Sequence, residues 1–267
     1  MVRKMAEENI KQHFRPNEGP FIDQVADWIS TTIDQYRPVL TSFLNPRQRY
    51  IAQTMANRHD DQVKVVSNGG WKGAEMQRLL FYPPYYEPQD SDFDLQVLEV
   101  DYPTKFVELH HRQIMGTLIG EGMERSAFGD ILGDQGRWQV VVTTSMAQYL
   151  RTSVHHVGRA KVKWLSVNDP AAVLTPVEDW EAVATTVTSL RLDSIVAAGF
   201  NYSRNRAKTL IEHGMVRLNW EDVTRPDEQV VVHDLISVRH AGRLRLDEDD
   251  GKTRKGKDKI KLSVVHA

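Results

Sequence analysis

The chain has 267 residues, of which 40% are hydrophobic and 26% are charged, and its formal net charge is −2. This composition is typical of a globular protein with one large domain or two to three small ones, and it argues against a protein that is basic throughout. The absence of cysteine excludes disulfides, thiol catalysis and cysteine-based zinc sites.

No stretch of the sequence approaches the roughly 20 apolar residues that a membrane-spanning helix needs. The N-terminal sequence MVRKMAEENIKQHF alternates charged and apolar side chains and lacks the apolar core of a signal peptide. These patterns predict a cytoplasmic protein with no membrane span.

Residues 1–75 are predicted to form a helical N-terminal domain. One apolar face recurs at helical spacing in FIDQVADWISTTIDQY, at Ile22, Val25, Ile29 and Ile33. Asn45 followed by Pro46 is typical of a helix N-cap and the first helical position, so a second helix is expected to begin there.

Residues 76–168 alternate strand-like and helix-like segments and are predicted to form a ferredoxin-like, RRM-like α+β domain. Strand composition, rich in Val, Leu, Phe and Trp, occurs in RLLFYP, DLQVLEV, FGDIL, WQVVV and KVKWLSV. Two helices are expected between these strands, in TKFVELHHRQIMGTLIGEGM and in TSMAQYLRTSVHHVG, the second of them closed by Gly158. Pro170 and Pro176 then mark a linker.

Several features of this middle segment bear on function. Lys105, Arg112 and Arg125 are candidate phosphate contacts near its first helix, and the glycine-rich GDILGDQG is expected to be a hairpin turn rather than a cofactor or metal loop. Four aromatic residues of LLFYPPYYEP either stack on unpaired bases or pack inside the protein; they are Phe81, Tyr82, Tyr85 and Tyr86.

The stretch RLDSIVAAGFNYSRNRAKTLIEHGMVRLN, residues 191–219, concentrates positive charge within a slightly acidic chain. Two short helices are expected in it, the second with Ser203 as its N-cap. Arg204 and Lys208 are four residues apart and share the outer face of that helix, with Arg206 beside them near its N-terminus. Because cations at a helix N-terminus oppose the helix dipole, an external phosphate explains them better than helix stability does. A solvated helix flank is the alternative.

The order RLD, SRNRA, LIEHG, MV, LN, VVVHDLISV and GR resembles the S4 (αL) RNA-binding domain over residues 180–246. In that family two helices and the following turn dock on structured RNA. The resemblance implies a set of RNA-facing residues, with Arg206 as a further candidate: Arg191, Ser203, Arg204, Lys208 and Arg217.

The end of this predicted domain, which we extend over residues 180–267, reads as a β-hairpin. GRLRL and KIKLSVV are expected to pair around a basic tip that contacts an RNA backbone. A disordered solubilising loop is the alternative, and the acidic residues 247–250 would equally hold the bases until RNA displaces them. The candidate contacts are Lys252, Arg254, Lys255 and Lys257.

Five segments spread along the chain carry a wider resemblance: HFRPNEGPFID, FLNPRQRYIA, SNGGWKGAE, KFVELHHRQIMGTLIGEGMERSAFGDI and GKTRKGK. Together they resemble the bacterial YlmH family. The resemblance implies a helical N-terminal domain, a middle RNA-binding domain and a C-terminal S4 module. It also implies a link to cell division and an association with the large ribosomal subunit, where the family is implicated in handling stalled complexes that carry peptidyl-tRNA.

Catalysis finds no support in the sequence, since no nucleophile, acid–base pair or cofactor motif stands out, and the paired histidines at 110–111 and 155–156 lack metal-ligand spacing with acids. Together with what the resemblance implies, we expect a cytoplasmic, ribosome-associated RNA-binding protein without catalytic residues, metal or cofactor. Its expected partners are rRNA of the large subunit, tRNA and division proteins. The alternatives are an RNA-modifying enzyme with its active site in residues 76–168 and a division-site scaffold acting through the helical domain.

Overall fold

The computed structural model describes residues 15, 18–175 and 180–267. Residues 1–176 and 177–267 form two compact units, called unit 1 and unit 2 below. The N-terminal sequence that we assessed for a signal peptide lies outside the described residues, as does Pro176 of the predicted linker. In the described part of the chain, no helix is both long and apolar enough to cross a membrane.

The first half of unit 1 contains the two predicted helices. Helix α1 (Gly19–Gln35) buries Ile22, Val25 and Ile29 against the local core, as their spacing predicts. Helix α2 (Pro46–Ala56) opens with a capping box, in which the backbone N of Gln48 donates to Asn45 Oδ1 at 2.8 Å and the backbone N of Asn45 donates to Gln48 Oε1 at 3.0 Å.

This half also holds a three-stranded antiparallel sheet that the sequence predictions missed in part. Its strands β1 (Val39–Leu44), β2 (Lys64–Asn68) and β3 (Gln77–Tyr82) lie in the order β1-β3-β2. RLLFYP, expected in the sheet of the middle segment, instead forms the central strand β3 here. Leu79 and Phe81 determine this placement, because both are buried in the core that also holds the apolar face of α1.

The second half of unit 1, called the ferredoxin-like half below, has the predicted βαββαβ order. It contains β4 (Gln96–Asp101), α3 (His111–Gly120), β5 (Phe128–Asp134), β6 (Arg137–Val142), α4 (Thr144–Ser153) and β9 (Lys163–Val167). The strands form one antiparallel sheet in the order β5-β6-β4-β9. This strand order and the two returning helices are those of a ferredoxin-like fold.

One detail of this half differs from the predictions, and another confirms them. Helix α4 ends at Ser153 rather than at Gly158, because the chain turns into a small hairpin of β7 (His156–Val157) and β8 (Ala160–Lys161). Gly158 lies in the turn of that hairpin with φ of 59°. GDILGDQG is the predicted hairpin, formed by β5 and β6 around Gln135 and Gly136.

One carboxylate joins the two halves of unit 1. Asp130 on β5 accepts hydrogen bonds from Trp71 Nε1 at 3.0 Å and from the backbone N atoms of Glu75 and Met76 at 2.8 and 3.1 Å. Gly69 packs so closely in this region that a side chain there would meet the Ala74 Cβ at 2.4 Å. The Asn68-Gly69-Gly70 sequence therefore has a packing role in the structure.

Unit 2 carries two helices on a six-stranded sheet. The helices are α5 (Leu192–Gly199) and α6 (Arg204–Glu212). The strands are β10 (Glu181–Val187), β11 (Val216–Leu218), β12 (Glu221–Asp222), β13 (Leu235–Val238), β14 (Gly242–Lys252) and β15 (Asp258–His266), in the order β10-β15-β14-β13-β11-β12. Apolar residues of both helices, such as Ile195 and Ile211, are fully buried in the core with Leu244 and Leu262 of the long hairpin.

The hairpin of β14 and β15 confirms the predicted pairing of GRLRL with KIKLSVV, with Leu246 opposite Leu262. QVVVHD, whose three consecutive valines are typical of a strand, is an irregular segment instead. Its Asp234 is completely buried and accepts hydrogen bonds from Asn219 Nδ2 and the backbone N of Val231, both at 2.8 Å. These bonds hold the segment in a turn, so its backbone cannot continue a ladder. Strand β10 was not predicted.

Candidate nucleic-acid interface

The helix pair α5–α6 positions the basic residues of unit 2. Arg191 is the N-cap residue of α5, and Ser203 caps α6 by accepting a hydrogen bond from the backbone N of Arg206 at 3.2 Å. On α6, Ala207 and Ile211 face the core, so Arg204 and Lys208 lie on the outer face, 52% and 55% exposed. Ser203 is thus the predicted N-cap.

Asp193, on the first turn of α5, connects the two helices. Its carboxylate is only 5% exposed and accepts hydrogen bonds from Nε and Nη2 of both Arg191 and Arg204, at 3.2–3.3 Å. Each guanidinium has five N–H groups, and the two on each Nη1 are not used by Asp193. One buried acid therefore orients two arginines that keep donors available for another ligand.

The electrostatics of this cluster favour the charged carboxylate. Burial raises the pKa of Asp193, but the hydrogen bonds from Arg191 and Arg204 outweigh burial and hold the pKa below its ordinary value. The hydrogen bond to Asp193 raises the pKa of Arg191. The Asp193 carboxylate is thus ionised at neutral pH, and the two guanidiniums beside it leave the cluster with a net positive charge.

These residues line a shallow pocket of about 480 Å³, called the helix-pair pocket below. Lys208 approaches Glu212 at 3.6 Å on its rim, a long and exposed ion pair that contributes little stability. The pocket holds three cations and three carboxylates, so its affinity for an anion depends on how the cations are oriented. Its lining residues are Arg191, Asp193, Arg204, Asn205, Lys208, Glu212, Pro226 and Asp227.

Three of the residues predicted to face RNA on or beside the helix pair do not line the pocket: Ser203, Arg206 and Arg217. The guanidinium of Arg206 stacks on the ring of Tyr202, with its Cζ 3.6 Å from the ring centroid. Arg217 is on strand β11, where its Nε donates to Asp222 Oδ1 at 2.8 Å. The structure therefore brings Arg191, Arg204 and Lys208 together but does not place Arg206 or Arg217 in the same pocket.

The hairpin tip, residues 253–257, is ordered by its own hydrogen bonds. The backbone N of Thr253 donates to the Lys257 O at 2.7 Å, and the backbone N of Lys257 donates to Thr253 Oγ1 at 3.0 Å. Among the described residues, the exposed side chains of Arg254, Lys255 and Lys257 make no ion pair, whereas Lys252 lies 3.6 Å from Asp258.

The neighbouring acids have other partners. Asp247 accepts from Arg245 and Ser263, and Lys261 pairs with Glu248 and Asp250. The proposed restraint of the tip by residues 247–250 is therefore not seen for Arg254, Lys255 or Lys257, because these acids bond along the strands.

The aromatic cluster of the sequence is divided between core and surface. Phe81 is completely buried, whereas Tyr85 is 58% exposed and packs on Tyr36 with ring centroids 5.0 Å apart. Tyr85 also donates its hydroxyl to the Tyr36 O at 2.6 Å. The ring of Tyr82 lies 6.3 Å from that of Tyr86. Packing within the protein thus accounts for most of the cluster.

Arg125, a candidate phosphate contact in the sequence, is only partly exposed, and its guanidinium binds the protein backbone instead. Its Nη1 donates to the Phe128 O at 2.6 Å and to the Gly129 O at 3.1 Å, and its guanidinium lies over the Phe128 ring. Burial lowers the pKa of Arg125 to about 10. Its bonds to the start of β5 explain why the sequence prediction for this residue was wrong. Lys105 and Arg112 are both exposed.

The sheet of the ferredoxin-like half does not offer the aromatic face on which RRM-type sheets stack bases. The side chain of Trp138 on β6 packs against the core between the sheet and the helices. On the other face of the sheet, Glu99 and Gln139 lie at the centre, where the Gln139 amide donates to Glu99. Gln139 is fully buried there, and its Nε2 donates to the Ala172 O while its Oε1 accepts from the backbone N of Leu174. Residues 172–174 therefore cover the part of this face around Gln139.

Within the described ranges, no group of three His, Asp or Glu side chains is placed to hold a metal ion. Sequence reasoning missed the role of Asp193, although the RLD pattern contains it. The signal available in the sequence was Asp193 itself, an acidic residue at the start of one predicted helix, with Arg191 just before it and Arg204 at the start of the next helix.

Three family models match successive parts of the chain. "YlmH, N-terminal" matches residues 17–86, "Putative RNA-binding domain in YlmH" matches residues 88–169, and "S4 domain" matches residues 190–236.

Two known proteins are similar to this chain, one over nearly its whole length and the other over more than half of it. The chain is 37% identical over 252 residues to "Ribosome-associated protein quality control protein P2" of Bacillus subtilis (strain 168), a match that covers 94% of this chain and 97% of the relative. It also resembles the structure of "Cell division protein ylmH from Streptococcus pneumoniae", with a TM-score of 0.53 and 32% identity, over 61% of this chain and 98% of that one.

Proposed function

This chain belongs to the YlmH family, whose S4 domain binds RNA, and we propose that it acts on the large ribosomal subunit and on the peptidyl-tRNA held there. The observation that carries the proposal is the helix-pair pocket, where one buried carboxylate orients Arg191 and Arg204 beside Lys208. The relative named as a ribosome-associated quality control protein supports the ribosome as the place of action.

In the proposed mechanism the helix-pair pocket meets a folded RNA element. The free Nη1 groups of Arg191 and Arg204 donate to phosphate oxygens, and Lys208 exchanges its long contact with Glu212 for a phosphate. Arg206 and Arg217 contact the backbone beside the pocket, and Ser203 keeps the start of α6 in place. Such contacts select RNA by shape, since they read the backbone and not the bases.

The hairpin tip extends this surface in the proposal. Arg254, Lys255 and Lys257 have no ion pair to break among the described residues, so each of them can bind phosphate without losing a carboxylate partner. Lys252, at the base of the tip, pairs weakly with Asp258 and joins them. Each phosphate contact releases counterions, which makes binding sensitive to salt.

We propose that the protein works by binding and not by catalysis, which the name of the ribosome-associated relative supports. Mass spectrometry of nucleosides from ribosomal RNA and tRNA, after incubation with the protein and common methyl donors, tests this. A modified nucleoside that depends on the protein would overturn it.

The central experiment is gradient co-sedimentation with purified ribosomal subunits, empty or carrying peptidyl-tRNA, at two salt concentrations. We expect wild type to travel with the large subunit and Arg204→Ala/Lys208→Ala to stay near the top. The slope of log affinity against log salt should fall by about 2 in this variant, since two phosphate contacts are lost. Arg58→Ala/Lys72→Ala removes the same charge from exposed positions in unit 1 and serves as the control.

Two results would contradict the proposal. Wild type that travels with neither form of the large subunit would remove the ribosome as its site of action. Equal sedimentation of wild type and Arg204→Ala/Lys208→Ala would show that the helix-pair pocket is not an RNA contact. Circular dichroism establishes that each variant is folded.

A link to cell division is a second candidate, favoured by the name of the Streptococcus pneumoniae structure. Association with division proteins that survives nuclease treatment would support a direct link. Association that disappears with the RNA would contradict it.

A further inference from the structure

One end of the ferredoxin-like half, called the loop end below, gathers three connections. They are residues 102–110 between β4 and α3, the β5–β6 turn, and residues 154–162 between α4 and β9. The topology brings them to the same end of the sheet, because β4 and β5 finish there and β6 and β9 begin there. Tyr102 donates its hydroxyl to the Gly136 O, and Asp101 lies opposite Lys163 in the ladder.

The loop end is rich in cations that lack carboxylate partners. Five lysine and arginine side chains there are exposed and make no ion pair with any described residue: Lys105, Arg112, Arg159, Lys161 and Lys163. The cations of the helix-pair pocket, by contrast, all pair with acids. Since an unpaired cation keeps its full field for an external anion, the loop end attracts phosphate without first breaking an ion pair.

Phe106 lies among these cations and is 87% exposed. It does not belong to a loose segment, because the backbone N atoms of Phe106 and Val107 donate to the Pro103 O at 3.0 and 3.1 Å. Val107 is packed against the core and anchors this turn. The turn therefore holds an aromatic ring in solvent, although exposure of that ring adds nothing to the stability of the fold.

We propose that the loop end is a second RNA-binding surface, which takes unpaired nucleotides: a base stacks on Phe106 while Lys105, Arg112 and Arg159 bind the adjacent phosphates. The proposal rests on the proposed function, since it gives the ferredoxin-like half a share in RNA binding. It also moves the RNA contact of this half from the sheet, where residues 172–174 cover the face around Gln139, to the loops.

A protein partner fits this surface less well. Protein interfaces need a cluster of apolar side chains at their centre, surrounded by a polar rim. Besides Phe106, the exposed large hydrophobic side chains described in this half are Ile119, Tyr149 and Leu165, which lie at the C-terminal end of α3, on α4 and in the middle of β9. A single exposed ring at an end of the fold that carries unpaired cations matches the combination of stacking and charge that binds single-stranded nucleic acid.

The test uses the full chain with Arg204→Ala/Lys208→Ala, so that the loop end is observed without the helix-pair pocket. Fluorescence anisotropy measures binding of a labelled 12-nucleotide single-stranded RNA and of a 12-base-pair RNA duplex. Phe106→Ala is expected to weaken binding of the single strand about 5- to 50-fold and to leave duplex binding almost unchanged, because only an unpaired base can stack. Tyr149→Ala, at an exposed aromatic residue on α4, is the matched control.

A charge series completes the experiment. Lys105→Ala/Arg112→Ala/Arg159→Ala is expected to weaken both RNAs and to flatten the salt dependence, whereas Asp134→Asn at the same end should strengthen binding. All of these side chains are exposed, so unchanged thermal unfolding is expected in each variant. Full affinity of Phe106→Ala for the single strand would overturn the proposal, and so would equal losses with single strand and duplex.

The outcomes separate this inference from the proposed function. If Arg204→Ala/Lys208→Ala abolishes co-sedimentation with large subunits but Phe106→Ala binds the oligonucleotide normally, only the loop-end inference fails. If Phe106→Ala weakens oligonucleotide binding but wild type never travels with large subunits, only the ribosomal function fails.

Discussion

The Asp193 carboxylate has more influence on the geometry of the helix-pair pocket than any single arginine or lysine there. It lies between Arg191 and Arg204 and uses the Nε and Nη2 donors of both, so it fixes the direction in which the remaining donors point. Its charge also opposes phosphate. These two effects on RNA affinity have opposite signs, which makes Asp193 a position where orientation and net charge can be told apart.

Asp193→Asn is expected to weaken binding to the large subunit about 3- to 10-fold, because the amide cannot hold two guanidiniums as a carboxylate does. If Asp193 acted only through its charge, the same substitution would strengthen binding. Filter binding or co-sedimentation at fixed salt measures the direction. Asp227→Asn removes a carboxylate from the rim of the same pocket and is expected to strengthen binding slightly.

The stability of unit 2 provides a check on Asp193→Asn. Because the folded-state pKa of Asp193 lies below the ordinary value of 3.8, its ion pairs stabilise the fold above pH 3.8 and are lost as pH falls through the lowered pKa. The difference in stability between wild type and Asp193→Asn should therefore shrink below pH 3.8. A constant difference down to pH 2 would show that these ion pairs do not stabilise unit 2.

Among the elements of unit 1, β5 is the strand that joins the two halves. It is an edge strand of the ferredoxin-like sheet, and through Asp130 it also binds the loop that leads into β3. Three N–H groups share this one carboxylate. Arg125 binds the backbone at the start of the same strand, at Phe128 and Gly129.

Asp130→Ala is expected to destabilise unit 1 by about 3 kcal/mol, because the indole of Trp71 and two backbone N–H groups lose their acceptor. Asp134→Ala on the same strand changes an exposed carboxylate and should leave stability within ~0.5 kcal/mol. Urea unfolding followed by tryptophan fluorescence measures both. An equal effect of the two substitutions would show that the Asp130 hydrogen bonds contribute no stability.

At the scale of the whole molecule, each unit has a hydrophobic core of its own. Ile211 is completely buried in the core of unit 2, and Phe128 is completely buried in the core of the ferredoxin-like half. A compact unit with a separate core unfolds as its own cooperative transition. We therefore expect the two units to respond separately to core substitutions.

Ile211→Ala is expected to cost unit 2 about 2–5 kcal/mol, and Phe128→Ala to cost unit 1 about 3–5 kcal/mol, through lost burial and the cavity left behind. Differential scanning calorimetry should show that each substitution lowers one transition and leaves the other in place. A single transition that shifts equally with either substitution would contradict the separation into two cooperative units.

Local patterns were sufficient for much of the fold. The spacing of Ile22, Val25 and Ile29 predicted α1, and the Asn45-Pro46 pair predicted the capping box of α2. Alternating strand and helix compositions predicted the ferredoxin-like order, and the pattern around Ser203 predicted the helix pair of the S4 domain. These features depend on residues that are close in sequence, where side-chain period and capping chemistry act directly.

Tertiary structure decided which partners these elements and side chains have. RLLFYP reads as a strand by itself, but the burial of Leu79 and Phe81 against α1 and α2 places it in the first sheet. In the sequence, Arg125 and Lys105 are equivalent candidates for phosphate contacts. In the folded chain, packing withdraws the Arg125 guanidinium from solvent, whereas the Lys105 side chain stays exposed.

The same distinction between local pattern and tertiary structure applies to the candidate sites. The sequence by itself determined which residues of unit 2 carry the positive charge, because the S4 pattern is local. Only the folded chain decided that Asp193 orients two arginines, that residues 172–174 cover Gln139 on the sheet, and that Phe106 is exposed at the end of the fold that carries unpaired cations. Strand pairing, burial and ion pairing depend on residues far apart in the chain, and local pattern does not encode which of them meet.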